Sequence, residues 1–404
     1  MCGQKSCTEL AEQFGTPLYV YNRQSIETSW QEFAMALSGA DHLICYAVKA
    51  NSNLAILDTL ARLGSGFDIV SIGELKRVLA AGGHPGNIVF SGVGKTAHEM
   101  EVALQAGIRC FNVESEAELE RLADIAAAHG TVAPVSLRIN PDVDAMTHPY
   151  ISTGLKENKF GISMHDALRV YRRAASMPSL AVQGIDCHIG SQLTQLAPYE
   201  DAVNLLVSLV DTLAAEGIIL SHIDVGGGQG IRYSEDDKTL DVSAWASSIR
   251  ALIADRNLQI LVEPGRYIVG QAGVLLTRVE YLKHNEDRQF AVVDAAMNDL
   301  IRPALYSAWQ DIEEAESLER ETAVYDVVGP VCESADFLGK QRSLAIAQGD
   351  LLCVRSAGAY AFVMSSNYNT RPRAAEVMVD EDEAFVVRAR EDTEALFEHE
   401  FLLP

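Results

Sequence analysis

The sequence predicts a (β/α)8 barrel of the TIM type followed by a mainly antiparallel β domain. Three observations carry this reading. Between residues 43 and 263, short apolar, β-branched runs alternate with helix-like segments, the pattern of parallel strands joined by crossover helices. The runs number eight, the count that closes a barrel of this kind. After about residue 270 the helical pattern fades into strands joined by turns, the texture of an antiparallel sheet.

The strand-like runs fall at 43–50, 66–71, 87–92, 110–114, 135–140, 182–188, 221–225 and 259–263. Between them lie helix-like segments at 54–63, 72–81, 96–105, 116–128, 165–176, 198–215 and 242–254. Thr96 is an expected N-cap, with Glu99 three residues on completing a capping box, and Gly107 ends the same segment. No G-x-G-x-x-G follows the first run, which counts against an open, doubly wound sheet. Beyond the barrel, strands are expected at 274–279, 289–293, 325–328, 351–354, 359–363, 375–379 and 384–388, with one acidic, helix-like stretch near 308–318. Residues 18–21 read as a further strand for either domain. The expected domains are 22–272 for the barrel and 273–404, with 1–21 added, for the β domain.

The 404 residues carry 32 Lys+Arg against 56 Asp+Glu, a net charge of −24. That surplus argues against nucleic acid or an anionic membrane as partner. No apolar run is long enough to span a bilayer, and residues 1–7 lack the apolar core of a signal peptide. Seven cysteines without a C-x-x-C pair suit a reducing cytoplasm. The histidines show no metal-ligand spacing, so no metal is expected.

In a TIM-type barrel the chemistry lies at the C-terminal strand ends. The first run ends in Lys49 and Asn51, the second carries Asp68, and the fifth carries Arg138 and ends in Asn140. The sixth ends in His188-Ile189-Gly190-Ser191, the seventh in Asp224-Val225-Gly226-Gly227-Gly228, and the eighth in Glu263-Pro264-Gly265-Arg266. A lysine closing an apolar run is unusual, because burying an ammonium is costly; burial also favours the neutral, nucleophilic amine. By itself Lys49 reads as a strand-end residue facing water, and the glycines as a plain turn. Together, the glycines and Gly265-Arg266 suit a phosphate cradle, since bare backbone N–H groups can approach an anion. A lysine, a phosphate cradle, a histidine able to stack on a ring and a carboxylate able to hold a pyridinium point to pyridoxal phosphate (PLP).

The motifs Tyr46-Ala47-Val48-Lys49-Ala50-Asn51, His188-Ile189-Gly190-Ser191, Gly226-Gly227-Gly228 and Glu263-Pro264-Gly265-Arg266 resemble those of the fold-type III, alanine-racemase-like PLP decarboxylases. Within that group the chain is most similar to the diaminopimelate decarboxylases. Later stretches carry the same resemblance: 147–154, 297–306 (with Arg302 and Tyr306), 329–338 (with Gly329-Pro330-Val331-Cys332-Glu333-Ser334), Gly358-Ala359-Tyr360 and Ser366-Asn367-Tyr368-Asn369. The resemblance implies that Lys49 holds the cofactor, with Asp68, His188 and Glu263 around it. It also implies that Ser191, Gly227, Gly228, Gly265 and Arg266 hold the phosphate, and that Tyr360 contacts cofactor and substrate. Cys332 and Glu333 would reach the site from the partner subunit of a homodimer. Two departures stand out. The N-terminal lead is short, and alanines at 295–296, 359 and 361 replace expected glycines, which changes the local backbone.

The activity implied is decarboxylation of meso-2,6-diaminopimelate to L-lysine and CO2, with Lys49, Cys332, Glu263 and His188 catalytic. Arg266, Arg302 and Tyr306 would grip the distal carboxylate and Glu333 the distal ammonium. A mobile lid is expected over 142–160. Three alternatives stand beside this reading: a fold-type III decarboxylase of ornithine, arginine or carboxynorspermidine; a non-catalytic PLP-binding protein; and a barrel binding another phosphorylated ligand without PLP, which one absorption spectrum would separate.

Overall fold

A computed structural model describes residues 4–144, 153–154, 158–316 and 319–404. The chain forms two compact units: Glu27–Ile231 with Lys238–Ile268, and Met1–Ile26 with Arg232–Asp237 and Val269–Pro404.

The first strand in the chain, β1 (Leu18–Asn22), belongs to the second unit. The barrel strands follow: β2 (His42–Ala47), β3 (Gly66–Ile69), β4 (Ile88–Phe90), β5 (Cys110–Val113), β6 (Ala133–Asn140), β8 (Leu180–Asp186), β9 (His222–Asp224) and β10 (Gln259–Val262); the short β7 (Ile162–Ser163) adds to β6. The order β5-β4-β3-β2-β10-β9-β8-β6 closes through a β5–β6 pairing, and every pairing is parallel. The eight expected runs are these eight strands. They are mostly buried, because helices cover the outside and packed side chains fill the inside. Cys45, Val89, Cys110 and Leu261 come from four different strands and form one buried cluster, so the interior is a packed core.

The crossover helices also match. Thr96 caps Ala97–Ala106 in a complete capping box with Glu99, and Gly107 closes it in the left-handed region at φ 71°. Ser71 and Ser115 cap the helices at Ile72–Ala80 and Glu116–Ala128 in the same manner, each accepting from the third helical N–H. These caps fix where each strand stops and hence which residue stands at the rim.

The second unit is built on one sheet. Its strands are β11 (Gly273–His284), β12 (Gln289–Val293), β13 (Ile312–Glu314), β14 (Ala323–Val328), β15 (Phe337–Leu344), β16 (Leu351–Val354), β17 (Ala375–Asp380) and β18 (Glu383–Arg388). The order is β15-β14-β12-β11-β1-β17-β18, with β16 joining β11 to β13. Most pairings are antiparallel; β1–β17 and β12–β14 are parallel. β1 is thus a central strand here, and Leu18 and Val20 pack with Leu276, Leu351 and Val377.

Two expectations fail in this unit, and two elements were not expected. Residues 359–363 are not a strand but a turn leading into a short 3-10 helix, Phe362–Met364. The acidic stretch near 308–318 contains the strand β13 instead of a helix, because its Ile312 is buried against the sheet, paired with Val354. β15 had no counterpart in the sequence reading. A helix, Cys7–Phe14, precedes β1, capped by Ser6 and Glu9 and burying Leu10 and Ala11.

Candidate active site

Lys49 lies in a single 3-10 turn, Val48–Ala50, immediately after β2. β3 runs beside it with Asp68 opposite Ala47, which brings the Asp68 carboxylate to the Lys49 ammonium as an ion pair. Asp68 is fully buried, and its Oδ1 has no hydrogen-bond partner among the described residues. The lysine closing β2 is therefore held at the rim by a carboxylate.

Further round the barrel the register places Arg138 of β6 opposite Asp186 of β8, and Asp186 opposite Asp224 of β9. Glu263 follows β10. One oxygen from each of Asp186, Asp224 and Glu263 lies within 4.8 Å of the others, and all three residues are buried. Asp186 Oδ1 and Asp224 Oδ2 have no hydrogen-bond partner in the described structure. Burial, then the neighbouring carboxylates, pushes Glu263 and Asp186 well above the usual carboxylate range. Asp224 is pushed up to about 7 by burial, although it accepts a hydrogen bond from Gly226 N–H at 2.9 Å. Arg138 donates to Glu114 at 3.1 Å and stands 4.0 Å from Asp186. Burial works against its charge, but these two acids outweigh it and raise its pKa.

Three crowded carboxyls are also a donor set for a small cation. Hard cations want six or more oxygens, several of them from water, whereas these groups are buried beside a guanidinium. Protons meet the surplus charge more simply.

The other strand ends supply a cradle. Gly227 N–H donates to His188 Nδ1 at 3.2 Å, so the lone pair of that nitrogen is taken and the ring proton sits on Nε2. Burial, with Arg138 and Lys49 nearby, holds His188 well below its ordinary pKa, and the ring is a neutral imidazole. A Cβ at Gly227 would lie 1.9 Å from Glu263 O, and Gly228 has φ 97°, so glycine is required at both. Arg266 Nη2 donates to Ser191 Oγ at 3.0 Å, bringing the sixth and eighth strand ends together. Lys49, Asp68, His188, Ser191, Gly227, Gly228, Glu263, Gly265 and Arg266 thus gather at the C-terminal ends of the barrel strands.

These residues fit PLP. Glu263 is a buried carboxyl whose described hydrogen bonds, from Asn112 at 3.4 Å and Ser91 at 3.5 Å, are long and neutral. It shares its remaining contact with the carboxyl of Asp224, so a cationic ring nitrogen would relieve the crowding of acids there. The glycine turn, Ser191 and Arg266 offer donors to a phosphate, Lys49 the amine, and neutral His188 a flat face.

The remaining candidates lie in the second unit. Arg302 is buried at the start of the helix Arg302–Tyr306, its guanidinium 4.9 Å from the Tyr233 ring centroid. Tyr306 ends that helix. Cys332 and Glu333 are exposed on the loop between β14 and β15, with Tyr368 donating to Glu333 at 3.4 Å. Tyr360 has φ 54°, a left-handed conformation uncommon for a side chain of its size. Ala359 and Ala361 keep negative φ, so the unusual backbone here belongs to the tyrosine between them. Of the expected lid, residues 145–152 and 155–157 lie outside the described residues. The flanking Thr153 and Gly154 are hydrogen-bonded to the carbonyls of His188 and Ile189.

The sequence reading gave no role to Asp186, Arg138, Glu114 or Asn112. For the last three the signal was available: Asn112-x-Glu114 and Ser136-x-Arg138-x-Asn140 place polar groups at every second position of otherwise apolar strands, on one face.

Residues 23–270 match the family described as pyridoxal-dependent decarboxylase, pyridoxal binding domain. The diaminopimelate decarboxylase of Vibrio cholerae is 60% identical over 402 residues, covering 99% of this chain and 96% of the relative. That of Pseudomonas aeruginosa is 60% identical over 397 residues, covering 98% and 95%. A crystal structure of diaminopimelate decarboxylase from Helicobacter pylori, complexed with L-lysine, superposes with a TM-score of 0.94 at 44% identity, covering 97% of this chain and 98% of that one. A barrel rim fitted to PLP, a family match over most of the chain and identity sustained along nearly its whole length agree: the chain belongs to the diaminopimelate decarboxylases, within the pyridoxal-dependent decarboxylase family.

Proposed function

We propose that the protein removes the carboxylate beside one amino group of meso-2,6-diaminopimelate, releasing CO2 and giving L-lysine. The observation that carries this is the barrel rim, where Lys49 rests on Asp68 beside a buried, cation-seeking Glu263 and a glycine cradle. The full-length likeness to diaminopimelate decarboxylases supports the choice of substrate.

When bound, PLP supplies an electron sink for the pair left on Cα as CO2 departs. The chain's own groups do the rest. Lys49 anchors the cofactor and accepts or returns protons at Nζ, with Asp68 setting its position. Glu263 holds the ring nitrogen in its protonated form. His188, neutral and fixed through Nδ1, covers one face. Gly227, Gly228, Ser191 and the backbone of Gly265 and Arg266 would hold the phosphate. Cys332 Sγ, or Lys49 Nζ, delivers the proton that replaces the carboxylate at Cα. Arg266, Arg302 and Tyr306 bind the distal carboxylate, Glu333 the distal ammonium, and Tyr360 lies against cofactor and substrate. The roles in the second unit rest on the motifs that carry these residues. We further propose a homodimer in which Cys332 and Glu333 serve the partner's site, working in the cytoplasm; among the described residues no helix is long and apolar enough to cross a membrane.

CO2 release from meso-diaminopimelate, L-lysine and L-ornithine, with and without added PLP, tests the reading. Release from diaminopimelate alone, dependent on PLP, is expected. Preference for ornithine or lysine would overturn the substrate. Arg302→Lys keeps the charge but loses the planar fork. It should lower kcat/KM for diaminopimelate by roughly 10- to 100-fold, the worth of a charged hydrogen bond, and unchanged discrimination would defeat the carboxylate grip.

A further inference from the structure

The strands β14 and β12 run parallel and adjacent, so the segments leaving their C-terminal ends emerge side by side. The segment after β12 leads through Met297 to Arg302 and Tyr306. The loop after β14, residues 329–336, carries Cys332 and Glu333. Asp336 closes that loop and is buried, 3% exposed. Its two carboxylate oxygens are divided between the segments: Oδ1 accepts from Met297 N–H at 2.7 Å and Oδ2 from Val331 N–H at 2.8 Å. Its backbone is engaged as well, donating to Glu333 O at 3.0 Å and accepting from Gly329 N–H at 3.2 Å. Gly329 has no room for a side chain, since a Cβ would stand 2.5 Å from Asp336 Oδ2 and 2.6 Å from Ala296 Cα. The N–H of Cys332 is taken by Asn369 Oδ1 at 3.3 Å. The loop therefore has its backbone bound on the inside, while the Cys332 and Glu333 side chains face outward.

We propose that Asp336 is a positioning residue for the decarboxylation: its single carboxylate sets the segment bearing Arg302 and Tyr306 and the loop bearing Cys332 and Glu333 in one fixed relation. Neither Met297 nor Val331 contributes a side-chain acceptor, and each oxygen serves one segment. Loss of either bond frees one of the two segments: the one bearing Arg302 and Tyr306, or the loop that carries Cys332 and Glu333 to the partner's site. A buried carboxylate on two backbone N–H groups is also a strong, short arrangement, with charge assistance in both bonds. This inference rests on the proposed roles of Cys332, Glu333, Arg302 and Tyr306.

The test uses the PLP-loaded enzyme in a Cys2→Ser background, in which Cys332 is the exposed cysteine and the other described cysteines are buried. Asp336→Asn keeps the size but turns an NH2 toward one of the two N–H donors. It should fold and keep its PLP absorption and PLP affinity. Alkylation of Cys332 by iodoacetamide should change several-fold. The kcat for diaminopimelate should fall by about 10²-fold, the cost of a misplacement of about 1 Å, and discrimination against lysine should narrow. A variant that loses thermal stability yet keeps kcat, KM and alkylation rate would show a structural role only and overturn the proposal. Asp336→Ser, smaller and neutral, is read in the same way; if neither variant folds, Asp336 is a residue of the fold and the positioning role is withdrawn. Cys332→Ala separates the two layers. Full activity in that variant would remove the reading beneath the proposal, whereas the alkylation rate reports the loop's position without reference to catalysis.

Discussion

Asp224 and Glu263 show how a few buried atoms set the behaviour of this rim. Both are acids deprived of water, and without a cation they hold their protons to higher pH than a free carboxyl does. For Asp224 the folded value of about 7 lies above the ordinary 3.8. Between about pH 4 and pH 7 the folded state therefore keeps a proton that the unfolded chain has lost, and stability falls as pH rises through that window. Asp224→Asn removes the group. Urea titrations of the cofactor-free protein from pH 4 to pH 8 should show a flatter pH dependence in the variant, and an unchanged slope would contradict the assignment. Lys49 was legible in the sequence as an anomaly, a lysine closing an apolar run, but only the other strand ends gave it a meaning. Asp186 was not legible. A single acid inside a short strand looks like a boundary error until the register sets it opposite Asp224 and Arg138.

At the scale of elements, the barrel was readable because each unit repeats one physical problem. A buried parallel strand must be apolar, and the helix after it must begin with a cap. Thr96 illustrates this, since its hydroxyl and Glu99 satisfy N–H groups that the first turn leaves free. Thr96→Ala should cost about 1 kcal/mol, a usual value for a lost cap, measured by urea unfolding with no change in PLP binding. The β domain was harder. β15 carries Lys340, Gln341 and Arg342 in succession, with Gln341 at φ 53° and register irregularities against β14, so its alternation is broken. β13 is three residues long and acidic, and only its pairing with β16 makes it a strand. The helix Cys7–Phe14 did carry a sign that was passed over: Ser6-Cys7-Thr8-Glu9 is a capping box in plain sequence.

Across the whole molecule, the composition bounded the answer and the motifs chose it. A net charge of −24 leaves cationic groups scarce, yet Lys49, Arg138 and Arg266 all stand at one barrel rim, and each meets a polar or acidic group there. The proposed shared sites make a specific demand on assembly. Lys49→Ala and Cys332→Ala subunits should each be inactive alone, Cys332→Ala by about 10²–10⁴-fold if it delivers the proton. When mixed and reassembled, some sites should combine an intact Lys49 with an intact Cys332 from the other chain. Activity regained on mixing supports sites built across two subunits; mixtures that stay as inactive as their parents would place both residues in one chain's site.

The most direct measurement is turnover and absorption of Lys49→Ala beside the unmodified chain, both supplied with PLP and meso-diaminopimelate. The unmodified protein should show the visible band of lysine-linked PLP and release CO2; the variant should lose the band and all measurable release. A variant that decarboxylates at the full rate would contradict the account.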